Sequence, residues 1–175
     1  RVGGGTIVLA VPDKIEVVQR RSYFRVSVPE SMKVQVLLWH RSGPAKGRTS
    51  PDQLAESGCM GRLVDISAGG AQVIVPHENS GAPGQGADFK KGQFVGMRFT
   101  PLPYETPLVL SAQIRNVLPT ADGGNASLGL QIVGLEASPE GREVLTRLIG
   151  VVEQYYQINQ SGVRRHGTQP VSNAV

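Results

Sequence analysis

Short apolar runs with a two-residue period recur through most of this chain, and no helical pattern separates them. The first run alternates Phe24, Val26 and Val28 with polar residues and stops at Pro29. Later runs cover residues 33–39, 62–66, 71–75, 93–100, 108–117 and 126–133. Strands at such near-regular spacing favour an antiparallel meander or barrel. We therefore predict an all-β fold, a six- or seven-stranded antiparallel β-barrel.

Polar and glycine-rich segments separate the runs. Ser67-Ala68-Gly69-Gly70 has the composition of a hairpin turn, and Asp122-Gly123-Gly124-Asn125 is a strong turn signal. Residues 41–58 and 77–92 are predicted to be long loops.

One helix is predicted, and it follows the last strand. Ser138 is a good N-cap, Pro139 suits the first helical position, and Glu140 favours the positive end of the helix dipole. Residues at three- and four-residue steps form one apolar stripe, namely Leu145, Leu148, Ile149, Val152 and Tyr156. The stripe is expected to pack on the barrel or on a partner. Residues 161–175 have no periodicity and are predicted to be a disordered tail.

Composition narrows the class of protein. The net charge of +4 is scattered, and only 5% of residues are aromatic, which disfavours a nucleic-acid groove. The single cysteine, Cys59, excludes an internal disulfide and fits a reducing compartment. No apolar run approaches the roughly 18 residues of a membrane helix, so we expect a cytoplasmic protein without membrane insertion.

The residue types that carry catalysis are not clustered. His40, His77 and His166 are dispersed and lack partners at metal-ligand spacing. Neither a nucleophile elbow, nor a P-loop, nor a dinucleotide fingerprint is present. We predict no catalytic residue and no metal, and therefore no enzyme; Cys59, Trp39 and Tyr104 are expected to be packing residues.

Two stretches carry the ligand-binding chemistry. Residues 19–26 place Arg20, Arg21 and Arg25 beside two aromatic residues, and guanidinium groups suit both phosphate oxygens and flat π-systems. Residues 64–71 supply a carboxylate, a hydroxyl and a glycine pair. Taken alone, the first stretch could simply be solvated arginines before an edge strand. The second stretch, taken alone, has the composition of a tight turn.

In combination the two stretches resemble the PilZ domain, the bacterial receptor module for cyclic di-GMP (c-di-GMP). That family carries Arg-x-x-x-Arg and then [Asp/Asn]-x-Ser-x-x-Gly, which are matched here by Arg21 to Arg25 and by Asp65 to Gly70. Flanking support comes from Gln19-Arg20, from Tyr23-Phe24-Arg25-Val26 and from residues 128–135. The resemblance covers about residues 19–135, and the domain with its helix is expected over residues 19–160. Residues 1–18 resemble the end of the N-terminal domain of YcgR-type flagellar brake proteins, followed by a connector.

The resemblance implies a c-di-GMP site. The implied ligand-binding residues are Arg20, Arg21, Arg25, Asp65, Ser67, Gly69 and Gly70. The arginines would fork onto phosphate or guanine, Asp65 would accept the guanine N–H groups, Ser67 would add a hydrogen bond, and the glycines would admit the ligand to the backbone. Arg20 either belongs to a site for an intercalated ligand dimer or is simply exposed.

The resemblance also implies a mode of action. Ligand would pin the arginine stretch against the Asp65–Gly70 face, reorient an upstream domain and change the surface seen by a protein partner such as a flagellar motor component. A homodimer is a further expectation. Two alternatives remain open at this point: a PilZ-like protein-interaction module that binds no nucleotide, and a small barrel that contacts single-stranded nucleic acid.

Overall fold

A computed structural model of the chain describes residues 22–41, 58–76 and 88–166, with side chains up to residue 162. Within these ranges the chain forms strands and one helix, in the order β1 (Arg25–Ser27), β2 (Gln35–Arg41), β3 (Cys59–Ser67), β4 (Gly70–Pro76), β5 (Phe94–Phe99), β6 (Leu108–Pro119), β7 (Asn125–Val133) and α1 (Pro139–His166).

Six of these strands close into an antiparallel barrel. Hydrogen bonding follows the order β3-β2-β5-β6-β7-β4, and β4 pairs back onto β3. The remaining strand, β1, pairs with the last residues of β3, while the first residues of β3 pair with β2. The predicted six- or seven-stranded barrel with a C-terminal helix is therefore confirmed.

Inward-facing aliphatic residues form the core, as the two-residue period requires. Val36 and Leu38 of β2 and Val95 and Met97 of β5 have no exposed surface. Cys59 is also buried, which confirms it as a packing residue.

Trp39 and Tyr104 have different environments, although both were predicted to pack on the barrel. Trp39 is buried, and its indole ring packs on Gly96. An added Cβ on Gly96 would lie 2.1 Å from that ring. The prediction for Tyr104 is wrong: its side chain is fully exposed, and its φ of 70° is in the left-handed region. The backbone turn at this position directs the side chain away from the barrel.

Helix α1 packs against β1, β3 and the loop that precedes β6. The Tyr155 hydroxyl donates to the Pro101 carbonyl at 2.6 Å, and Arg147 donates to the Thr106 carbonyl at 2.7 Å. The backbone N–H of Gly141 donates to Ser138 Oγ at 3.1 Å. The predicted N-cap is thereby confirmed.

The buried face of α1 differs from the predicted stripe. Leu148 and Val152 are buried as expected, but Ile149 and Tyr156 are 43% and 41% exposed. The helix presents Val151 and Tyr155 instead, and the bond from the Tyr155 hydroxyl to Pro101 holds this face against the loop before β6. The residues of this face are Leu148, Val151, Val152 and Tyr155.

The helix also continues to His166 rather than ending at residue 160. Ser161 Oγ donates to the Gln157 carbonyl at 2.9 Å, so the helical repeat carries on past the predicted boundary. The expectations for residues 1–18, for residues 42–57 and 77–87 of the two long loops and for residues 167–175 lie outside the described residues.

Candidate functional site

A β-bulge in β3 turns Asp65 away from the core. The register with β4 shifts between Leu63 and Asp65, so Val64 is an extra residue in the strand. In an unbroken strand Leu63 and Asp65 would share one face. Because of the bulge, Leu63 and Ile66 both point into the core, with 1% and 0% exposure, and the carboxylate of Asp65 is released to the outer face.

Strand β1 brings Arg25 onto this outer face. Arg25 lies directly opposite Ser67, and Ser27 lies opposite Asp65, so Arg25 and Asp65 are diagonal neighbours across the strand pair. Arg25 Nε is 3.5 Å from Asp65 Oδ1. The two sequence stretches therefore meet through an ion pair.

The hairpin between β3 and β4 closes tightly next to this pair. Ser67 is paired with Gly70, and its buried hydroxyl donates to the Gly70 carbonyl at 3.2 Å. The backbone N–H of Ile132 donates to the Gly69 carbonyl at 3.0 Å, which ties the turn to β7.

The glycine pair makes room for the protein's own groups. Neither Gly69 nor Gly70 has φ in the left-handed region. An added Cβ at Gly69 would instead lie 2.6 Å from the ring of Tyr23, and one at Gly70 would lie 2.6 Å from the Leu130 carbonyl oxygen. An added Cβ would displace the Tyr23 side chain at position 69 and would meet fixed backbone at position 70, so close packing, rather than turn conformation, favours glycine at both positions.

A cleft of about 920 Å³ opens beside the ion pair and the hairpin. Of the residues predicted from the sequence, it is lined by Arg25, Ser67, Gly69 and Gly70. Asp65 is not among the residues that line this cleft; its carboxylate is paired with Arg25, which does line it. Arg20 and Arg21 lie outside the described residues.

The far wall of the cleft contains polar residues that the sequence interpretation missed. Arg115 and Asn116 come from β6, and Gln131 comes from β7. A second β-bulge places them: the register between β6 and β7 shifts between Ile114 and Asn116, so Arg115 and Asn116 both face outward. Two arginines from distant strands thus share one cleft with amide side chains, a set that suits a planar, polar anion.

Neither a metal-ligand group nor a membrane-spanning helix is found in the part of the chain that the structure describes. Residues 22–41, 58–76 and 88–166 contain no group of three His, Cys, Asp or Glu side chains placed to hold a metal. The ring of His40 instead lies 4.9 Å from the ring of Phe89. In the same ranges no helix combines the length and the apolar character needed to cross a bilayer.

Comparison with known proteins assigns the chain to one family. The PilZ domain family matches residues 19–150, which is most of the chain. The chain therefore belongs to the PilZ domain family.

Solved structures give the same fold. The chain is 18% identical to the PilZ domain of YcgR from Escherichia coli with c-di-GMP, with a TM-score of 0.53 over 82% of this chain and 98% of that domain. It is 20% identical to E. coli YcgR in complex with c-di-GMP, with a TM-score of 0.52 over 83% of this chain and 51% of that one. The Bacillus subtilis inhibitor of motility, MotI/DgrA, is 17% identical, with a TM-score of 0.50 over 81% of this chain and 55% of that one. The chain thus spans about half of these two longer proteins. No curated protein sequence matches the chain.

Proposed function

We propose that this chain is a receptor for c-di-GMP and that the ligand binds in the cleft beside Arg25 and Asp65. The observation that carries the proposal is the 3.5 Å ion pair between Asp65 and Arg25, which joins the second motif stretch to an arginine that lines the cleft. The cleft volume of about 920 Å³ is within the range of about 300–1,000 Å³ that is typical of small-molecule sites.

The chemistry of the cleft matches the two charges and two guanines of this ligand. Arg25 can fork onto a phosphate or onto the guanine O6/N7 edge. Asp65 can accept the guanine N1–H and exocyclic amine, and Arg115 supplies a second cation from the opposite wall. Arg20 and Arg21 directly precede the described segment and are assigned to the same ligand. Neutralisation of the phosphates by arginines also favours binding at low ionic strength.

Ligand binding is proposed to act as a switch rather than in catalysis. The segment before β1 carries Arg20 and Arg21, so fixing it on the barrel would reorient whatever precedes it in the chain. The similarity to YcgR and MotI supports a role in motility, with a protein partner such as a flagellar motor component and a cytoplasmic location. A homodimer is part of the same proposal.

Isothermal titration calorimetry of the chain with c-di-GMP tests the assignment. We expect saturable binding that weakens by about tenfold to a hundredfold in Arg25→Ala and in Asp65→Ala, because a good charged contact to a base is worth roughly 1–3 kcal/mol. Arg98→Ala is the matched control, since Arg98 is an exposed arginine on β5 that does not line the cleft. Cyclic di-AMP is the control ligand, because adenine lacks the N–H pattern that Asp65 would read.

Two results would contradict the proposal. The first is wild-type protein that takes up no c-di-GMP, which would favour a PilZ-like interaction module without a nucleotide. The second is binding that survives both cleft substitutions, which would move the ligand to another surface.

A further inference from the structure

Tyr23 lines the same cleft, although neither motif includes it. Its side chain is 44% exposed and shares the cleft with Arg25. The intervening residue, Phe24, leaves the chain on the other side and contacts the ring of Tyr156 in α1, with 5.5 Å between ring centroids in an edge-to-face arrangement. Tyr23 and Arg25 therefore line the cleft, whereas Phe24 contacts the helix.

Gly69 provides the place where the Tyr23 ring rests. A Cβ atom at position 69 would lie 2.6 Å from Cδ2 and 2.9 Å from Cε2 of that ring, well inside van der Waals contact. The absent side chain lets the ring lie directly on the turn. An aromatic surface and the Arg25 guanidinium thus line one cleft, together with the same turn.

We propose that Tyr23 is a base-stacking residue of this cleft and that Gly69 is required to seat it. The inference rests on the proposed function, because the stacked group is a guanine of bound c-di-GMP. Aromatic side chains stack on any nucleobase, since every base has a π-face. Tyr23 accordingly contributes affinity, whereas Asp65 and Arg25 read the guanine edge. Gly69 serves the protein's own ring rather than direct approach of ligand to the backbone.

The proposal is tested by titrating c-di-GMP into the chain with the ring altered in two ways. Tyr23→Phe keeps the π-face, and we expect its affinity to stay within about twofold of wild type. Tyr23→Leu keeps an apolar side chain that can rest on Gly69 but removes the π-face, and we expect binding to weaken by about fivefold to a hundredfold. Phe24→Leu is the matched control, because this ring faces the helix, and we expect near-wild-type affinity.

A double-mutant cycle then tests the role of Gly69. Gly69→Ala should weaken binding in the wild-type background, because the new methyl group displaces the Tyr23 ring, and should add little in the Tyr23→Leu background. An equal additional loss in both backgrounds would show that the glycine serves the ligand itself and would overturn this role. The thermal midpoint of each variant, measured by Trp39 emission, shows whether a loss of c-di-GMP binding is caused by unfolding.

The possible failures can be told apart. Wild-type protein that does not bind c-di-GMP would overturn the proposed function together with this inference. Wild-type binding with an unchanged affinity in Tyr23→Leu would overturn the stacking role alone and would leave the c-di-GMP assignment intact.

Discussion

Gly70→Ala is expected to destabilise the barrel where it closes beside the cleft. Gly70 is paired with Gln131 in β7, and a Cβ atom at position 70 would lie 2.6 Å from the Leu130 carbonyl oxygen. That oxygen belongs to the backbone, so no side-chain rotation relieves the clash, and β4 must move away from β7. Overpacking of this kind costs about 1–3 kcal/mol.

The assay uses the single tryptophan of the chain, Trp39, which is buried and reports unfolding through its emission. In urea, Gly70→Ala should lower the free energy of unfolding by about 1–3 kcal/mol, and the thermal midpoint should fall by about 2–4 °C for each kcal/mol. Gly124→Ala is the control, because an added Cβ meets nothing within 4 Å there, and it should be neutral or slightly stabilising. If Gly70→Ala is as stable as Gly124→Ala, close β4–β7 contact does not explain the glycine.

Three further expectations follow from individual side chains. Burial raises the pKa of the Tyr155 hydroxyl above its ordinary value of 10.0; the stability linked to this proton is present below about pH 10 and is lost as the pH rises further. Between about pH 9 and about pH 11.5 the thermal midpoint should therefore fall less steeply with rising pH in Tyr155→Phe than in the wild type. Tyr104→Phe, at a fully exposed position, is the control and should keep the wild-type slope. Equal slopes in Tyr155→Phe and the wild type would contradict this. The hydrogen bond from Thr120 lowers the pKa of the Asp122 carboxyl below 3.8, so Thr120→Val should raise its NMR titration midpoint, and an unchanged midpoint would refute the cause. Arg115→Ala should weaken c-di-GMP binding about fivefold in calorimetry, the equivalent of about 1 kcal/mol for one partly solvated charged contact; unchanged affinity would exclude Arg115 from the site.

The regular part of the fold could be predicted from the sequence because each strand shows its own periodicity. The run containing Val36 and Leu38 alternates inward and outward residues as expected, and the turn at Asp122–Asn125 lies where the glycines indicate. These features depend on a few consecutive residues. Local chemistry therefore determines them, and a single sequence is enough to find them.

The two β-bulges could not be placed in this way, although each leaves a trace in the sequence. Leu63 and Ile66 both belong to the core and are three positions apart in the sequence. The same spacing separates Ile114, in the core, from Val117, which is partly buried and packs against the core. A strict two-residue period cannot give that spacing. This irregularity is the signal that would have moved Arg115 and Asn116 into the candidate site.

The packed face of α1 and the position of Tyr104 depend on long-range contacts. The Tyr155 hydroxyl is bonded to a carbonyl 54 residues earlier in the chain, at Pro101. Helical periodicity indicates that α1 has an apolar stripe. Which side of that stripe is buried depends on the elements that pack against the helix. Similarly, the need for glycine at position 69 depends on Tyr23, far away in sequence.

Chemical-shift mapping by NMR during a c-di-GMP titration locates the ligand on the molecule and is therefore the decisive experiment for the cleft. We expect the largest shifts at the amides of Arg25, Gly69, Gly70, Arg115 and Gln131, which surround a single cleft. Shifts confined to the outer surface around Met60 and Val109, both exposed and outside the cleft, would contradict c-di-GMP binding in the cleft, and an unchanged spectrum would contradict c-di-GMP binding altogether.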